Sequence, residues 1–165
     1  EGLIELGQDG QYRECSAVDW DDVTEKHGDD DVGEIVIQAD ITKVDEERRL
    51  AMGWASIVEV DGKPFTDLQE DVISAHDMED MAYQFVLDNG PAGEMHTRIG
   101  VGKLVESMAF TRDKQNALGV DLGKVGWWIG FKITNDETWE RVKAGTLRSY
   151  SIRGRGRRTP YQETA

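Results

Sequence analysis

In the stretch EIVIQADITKV, residues 34–44, Ile35, Ile37, Ala39 and Ile41 fall on every second position. That period of two belongs to a strand with one buried face, and it excludes a helix as the starting element. The run RRLAMGWASIVEV, residues 48–60, follows after only the polar turn DEE. A gap this short joins antiparallel neighbours, because a parallel crossover needs a dozen residues or more. DGKPFTD then supplies Asp-Gly and a proline, a turn with a stereochemical cause.

The text beyond residue 70 alternates between helix and strand without a βαβ rhythm. SAHDMEDMAYQFVLDNGP carries Met78, Met81, Ala82, Phe85 and Val86 at helical spacing. Ser74 with Asp77 caps its start, and Asn89-Gly90-Pro91 stops it. KLVESMAF and GWWIGFKIT read as strands separated by a polar loop, TRDKQNALGVDLGK. A second helix is expected over residues 136–144, with Thr134 and Glu137 as a capping box, Trp139 and Val142 inward, and Gly145 as its end. LRSYSIRG is the last strand. The expectation is a mainly β fold with some α: a six- to seven-stranded antiparallel β-barrel flanked by helices.

Charge divides the chain. Residues 1–33 hold eleven acidic and two basic residues, net −9, and are expected to form a flexible acidic leader. Residues 34–158 form the folded domain, and residues 159–165 a tail. From residue 141 to the end there are seven basic residues and one acidic, net +6. Complementary ends of this kind can dock on a partner or on each other. The whole chain carries −14, so nucleic acid is not an expected partner despite RGRGRR. The acid-rich leader lacks the D-x-D-x-D-G spacing and closing glutamate of a calcium loop, and neither a metal nor another cofactor is expected. A single cysteine, Cys15, excludes an internal disulfide and fits a reducing compartment. No apolar run approaches the roughly 20 residues a membrane span needs, and no signal-peptide pattern opens the chain. Its start at Glu1 reads as that of a processed or excised piece.

Nucleophilic chemistry needs a hydroxyl or thiol, a base within hydrogen-bond reach and a group that orients the base. Ser149 and Ser151 alternate on the last strand, so both face one side, while Tyr150 and Ile152 face the other. If the latter pair faces the core, the serines line the outer surface or a groove. The chain has three histidines. His27 lies among the acids, and His76 reads as a surface residue in a helix's first turn. His96, in GPAGEMHTRIGVGKL, sits where a glycine-rich segment approaches a strand. By themselves these residues favour a polar strand face and a structural or solvated histidine.

Four stretches in order change that balance: GWASIVEVDGKPFTDLQEDVI, MEDMAYQFVLDNG, GEMHTRIGVGKLVES and GWWIGFKITNDETWERVKAGTLRSYSIRG. Together they resemble the phage prohead protease family, in its XkdF-like branch, over about residues 39–158. The resemblance implies a serine endopeptidase that matures phage proheads by cleaving scaffold and capsid proteins and itself, with a fold related to the herpesvirus assemblins. It maps the nucleophile to Ser151, the base to His96 and an orienting carboxylate to Glu106 in LVES. Arg153 and Gly154 would contact substrate or line the oxyanion site. Relatives carry small residues after the isoleucine, where this chain has Arg153. The implied partners are scaffold protein, major capsid protein and peptide substrate, with self-association left open. The implied setting is the bacterial host cytoplasm, inside assembling proheads. A non-catalytic scaffold component that kept the fold is the alternative.

Overall fold

The computed structural model describes residues 3–7, 16–17, 32–66, 72–87, 91–94 and 98–157. In chain order the elements are β1 (Leu3–Gly7), β2 (Ser16–Ala17), β3 (Val32–Asp45), β4 (Leu50–Val60), β5 (Lys63–Pro64) and α1 (Ala75–Leu87). They continue with β6 (Pro91–Glu94), β7 (Arg98–Phe110), α2 (Arg112–Leu118), β8 (Lys124–Ile133), α3 (Asp136–Lys143) and β9 (Ser149–Arg157).

The five long strands form one antiparallel sheet in the order β7-β8-β4-β3-β9. The expected β3–β4 hairpin is present, with Val44 opposite Ala51 and Asp45 opposite Leu50. The fold is thus mainly β with helices, and the five long strands by themselves form an open antiparallel sheet with β7 and β9 at its ends. Alternation reveals which face of a strand is buried. Closure depends on tilt and stagger, which a period of two does not encode. Short strands extend the sheet. β5 folds back on β4, β6 pairs with β7, and β2 lies on β9. β1 pairs with β6 in parallel and with β9 antiparallel.

One face of the sheet carries the core. On β8 it is built from Val125, Trp127, Ile129, Phe131 and Ile133, all buried. Met78, Ala82 and Phe85 of α1 press onto it, as do Trp139 and Val142 of α3. Phe85 meets both Trp127 and Phe131 edge-on, with centroids 5.4 and 6.4 Å away. Such perpendicular ring pairs add to the area term of burial. The expected cap of α1 is present: the Asp77 amide donates to Ser74 Oγ at 3.0 Å. The stripe runs one residue short, since Val86 is exposed.

The two remaining helices depart from expectation. Residues 112–118, read as polar loop, form α2, capped by Thr111 and ended by Gly119 in the left-handed region at φ 69°. Its one buried side chain is Gln115, which donates to the Phe110 and Lys124 carbonyls and accepts from the Leu122 amide. A seven-residue helix with a single inward polar residue has no apolar stripe to announce it. In α3 the cap is Asn135, whose Oδ1 accepts from the Thr138 amide at 2.9 Å. Thr134 instead donates its hydroxyl to the Val101 carbonyl of β7.

Gly53 marks a close approach of backbones. A methyl group there would stand 2.3 Å from the Asp40 carbonyl oxygen and 3.1 Å from the Thr42 nitrogen. The β3–β4 register shifts at this point, and the Ile41 amide turns to the Arg148 carbonyl just before β9. Gly53→Ala is therefore expected to cost about 1–3 kcal/mol by forcing β3 from β4. A lowered urea midpoint with an unchanged slope would register it.

The helices are also tied by charge. Lys114 of α2 pairs with Glu79 of α1, and Tyr83 donates to the same carboxylate at 2.9 Å. The hydrogen bond from Lys114, and then that from Tyr83, hold the Glu79 carboxyl below its ordinary range against the opposing effect of burial. A depressed carboxyl stabilises the fold above its unfolded pKa, and that contribution fades as pH falls through the folded value. Glu79→Gln should thus lower the melting temperature at pH 7 and converge with wild type once the pH has fallen through the depressed folded value.

Candidate active site

Strand β9 brings the proposed nucleophile into the sheet between two neighbours. On one side β3 runs alongside it from Asp40 opposite Ser149 to Val32 opposite Arg157, placing Gln38 opposite Ser151. On the other side β1 places Glu5 opposite Ser151, and β2 places Ala17 opposite Gly156. Along that second side, the β1 pairs end at Arg153 and the β2 pairs begin at Gly156. Among the described residues Gly154 and Arg155 lie between these two paired stretches, close in sequence to Ser151.

Ser149 is 2% exposed. A peptide carbonyl cannot approach a hydroxyl so enclosed. Its burial also corrects the expectation of an outward serine face at this position. Leu147, just before the strand, is buried with it, and together they anchor the start of β9 against the core.

His96 lies outside the described residues, as does His27. The positions that bracket His96 are described: Glu94 ends β6 and Arg98 begins β7. The register then runs in rows across β6, β1 and β9. Gly93 opposes Glu5, which opposes Ser151; Glu94 opposes Leu6, which opposes Tyr150. One strand therefore separates the end of β6 from the serine's row, a span of about 10 Å at ordinary strand spacing. The end of β6 at Glu94 thus lies two strand spacings from β9.

Glu106 sits on β7 opposite Gly130 of β8, exposed to solvent. The Trp128 indole N–H donates to its Oε2 at 3.2 Å. A methyl group on Gly130 would stand 3.2 Å from the Glu106 Cβ and 2.9 Å from the Met52 Cγ, so the glycine makes room for this side chain. Across the long strands β8, β4 and β3 separate Glu106 from β9, about 19 Å along an open sheet. By the other route, β6 and β1 lie between β7 and β9, a span of about 14 Å at ordinary strand spacing. Trp128 belongs to an aromatic group that sequence reasoning missed: Trp54 meets both Trp128 and Phe110 edge-on, and the Lys124 ammonium lies 5.5 Å from the Trp54 ring centroid. Only the cross-strand register, Trp54 opposite Trp128, makes these residues neighbours.

His76 is exposed on α1, with Nε2 3.7 Å from the Asp80 carboxylate, and has the surface position expected of it. Among the described residues no three His, Cys, Asp or Glu side chains gather as a metal site, and no helix is long and apolar enough to cross a membrane.

The family model described as "Putative phage serine protease XkdF" matches residues 37–160, and the chain belongs to that family. That span includes positions 96, 106 and 151. The chain is also similar to a Bacillus subtilis (strain 168) protein described as "Uncharacterized protein YqbD", with 29% identity over 98 residues. The match covers 59% of this chain and 30% of that relative, so the chain spans under a third of the longer protein. No solved structure matches.

Proposed function

We propose that this protein is a serine endopeptidase of prohead maturation, cleaving phage scaffold and major capsid proteins inside assembling particles in the bacterial cytoplasm. The observation that carries the reading is the family match over residues 37–160, which spans both the proposed nucleophile and the proposed base. In the reaction, Ser151 Oγ attacks the scissile carbonyl as His96 takes its proton. The imidazolium then gives that proton to the leaving amine, and water repeats the cycle on the acyl-enzyme. The oxyanion that forms needs backbone N–H donors aimed at it. The β9 edge at Gly154 and Arg155 supports that role, because it lies between the stretches paired with β1 and β2.

Glu106 as the orienting carboxylate is the part of this reading that most needs its own test. Glu106→Gln should leave kcat within a few-fold if the carboxylate serves only Trp128. If it steadies the His96 imidazolium, the loss should be on the order of 10²-fold or more, largest where the base titrates. A pH–rate profile of the variant separates the two.

The closed barrel belongs to the same proposal. β1 lies between β6 and β9 and would complete a ring with the five long strands and β6. Residues 34–158 would carry the catalytic groups, with the acidic leader 1–33 lending β1 to the ring and 159–165 as the tail. Incubating the purified protein with phage scaffold protein and locating the new termini by mass spectrometry tests the activity. Scaffold cut at defined bonds supports it, and intact scaffold opposes it.

A further inference from the structure

The acidic N-terminal segment supplies a strand to the part of the sheet where the chemistry is proposed. β1 runs between β6, which leads toward position 96, and β9, which carries position 151. Its central residue, Glu5, lies in one row with Gly93 and Ser151, while Ile4 opposes Ile152 and Leu6 opposes Tyr150. A peptidase that takes an extended substrate binds it in the same manner, as an added strand whose backbone pairs with an enzyme edge and whose side chains are read alternately.

β1 is also poorly secured as a permanent stave. It is five residues long, whereas the β3–β9 ladder runs from Val32 to Asp40. It comes from a segment of net −9 and lies against a strand bearing Arg153, Arg155 and Arg157. Charge complementarity brings such a segment to β9 and weakens as salt screens it.

We infer that the gap between β6 and β9 is the peptide-binding slot, and that β1 occupies it as a resident substrate-like strand. The slot takes an extended peptide antiparallel to β9, with an acidic residue between two apolar ones, as in Ile4-Glu5-Leu6. A substrate must displace β1 to bind. This inference rests on the proposed peptidase reading, so its test needs one readout independent of catalysis.

The full chain, Leu6→Pro and Ile4→Asp would be compared by two measurements: the rate of serine labelling by a fluorophosphonate, and hydrogen exchange of the amides in residues 149–153. Proline removes a ladder donor, and aspartate removes an apolar pair. If β1 fills the slot nine-tenths of the time, emptying it should speed labelling about tenfold. The amides should lose protection in both variants. A synthetic peptide of residues 1–10, added in excess, should restore slow labelling and protection, and a scrambled peptide should not. Equal labelling rates with unchanged protection in all three proteins would overturn the inference. Absence of labelling in every protein would count against the serine reading alone. Exchange would then decide the slot: protection lost in the variants and restored by the peptide supports it, and protection unaffected by either opposes it.

Discussion

Ser151→Ala is expected to abolish cleavage of scaffold protein while leaving the fold intact. The substitution removes the atom that forms the acyl-enzyme, and removing a serine nucleophile typically costs on the order of 10⁴-fold or more in rate. The change deletes one oxygen from a strand whose backbone pairs with β3 do not involve the side chain. The melting temperature should therefore stay close to wild type. Mass spectra of scaffold incubated with each protein would show processed termini for wild type and intact scaffold for the variant. Identical processing by both would remove Ser151 from the mechanism. Intact scaffold from both, with assembly unaffected, would favour the non-catalytic scaffold alternative.

Trp127→Ala should produce the largest loss of stability. Trp127 is fully buried at the centre of β8, edge-on to Phe85 of α1, and its indole N–H donates to Ser107 Oγ at 2.9 Å. Truncation to alanine leaves a cavity under α1 and a hydroxyl without its donor. Losses of this type run about 3–5 kcal/mol for an aromatic. Set against a total of about 5–15 kcal/mol for an ordinary domain, that approaches unfolding. Trp127→Phe keeps most of the volume and isolates the hydrogen bond, worth about 1 kcal/mol. Urea unfolding of both variants, followed by far-UV circular dichroism, measures the two terms. A midpoint for Trp127→Ala close to wild type would show that the α1–β8 contact does not hold the core.

Much of the fold was legible because burial leaves a period in the sequence. The β3–β4 hairpin, the Ser74 cap and the inward Trp139 and Val142 all follow from local pattern. α2 escaped because Gln115, its one buried residue, is polar and acts by hydrogen bonds rather than by area. The cap of α3 shifted from Thr134 to Asn135 because Thr134 is engaged by the Val101 carbonyl, a contact across 33 residues that no local rule contains. Strand order and stagger are likewise properties of distant pairings, which local pattern does not contain.

The candidate site was legible only through family resemblance. Nothing in the spacing of residues 96 and 151 announces that the register brings the end of β6 within one strand of β9. Glu106 has an indole partner that becomes visible only when β7 and β8 are laid side by side. The row joining Gly93, Glu5 and Ser151 is likewise a product of strand order, and it assigns residues 3–7 a place that charge alone leaves undefined.

The most direct measurement is to treat the purified protein with diisopropyl fluorophosphate and locate the adduct by peptide mapping. Modification of Ser151 that stops cleavage, and that slows sharply in His96→Ala, is the predicted result. Cleavage that survives complete modification of Ser151, or an adduct that forms equally fast without the imidazole, would contradict it.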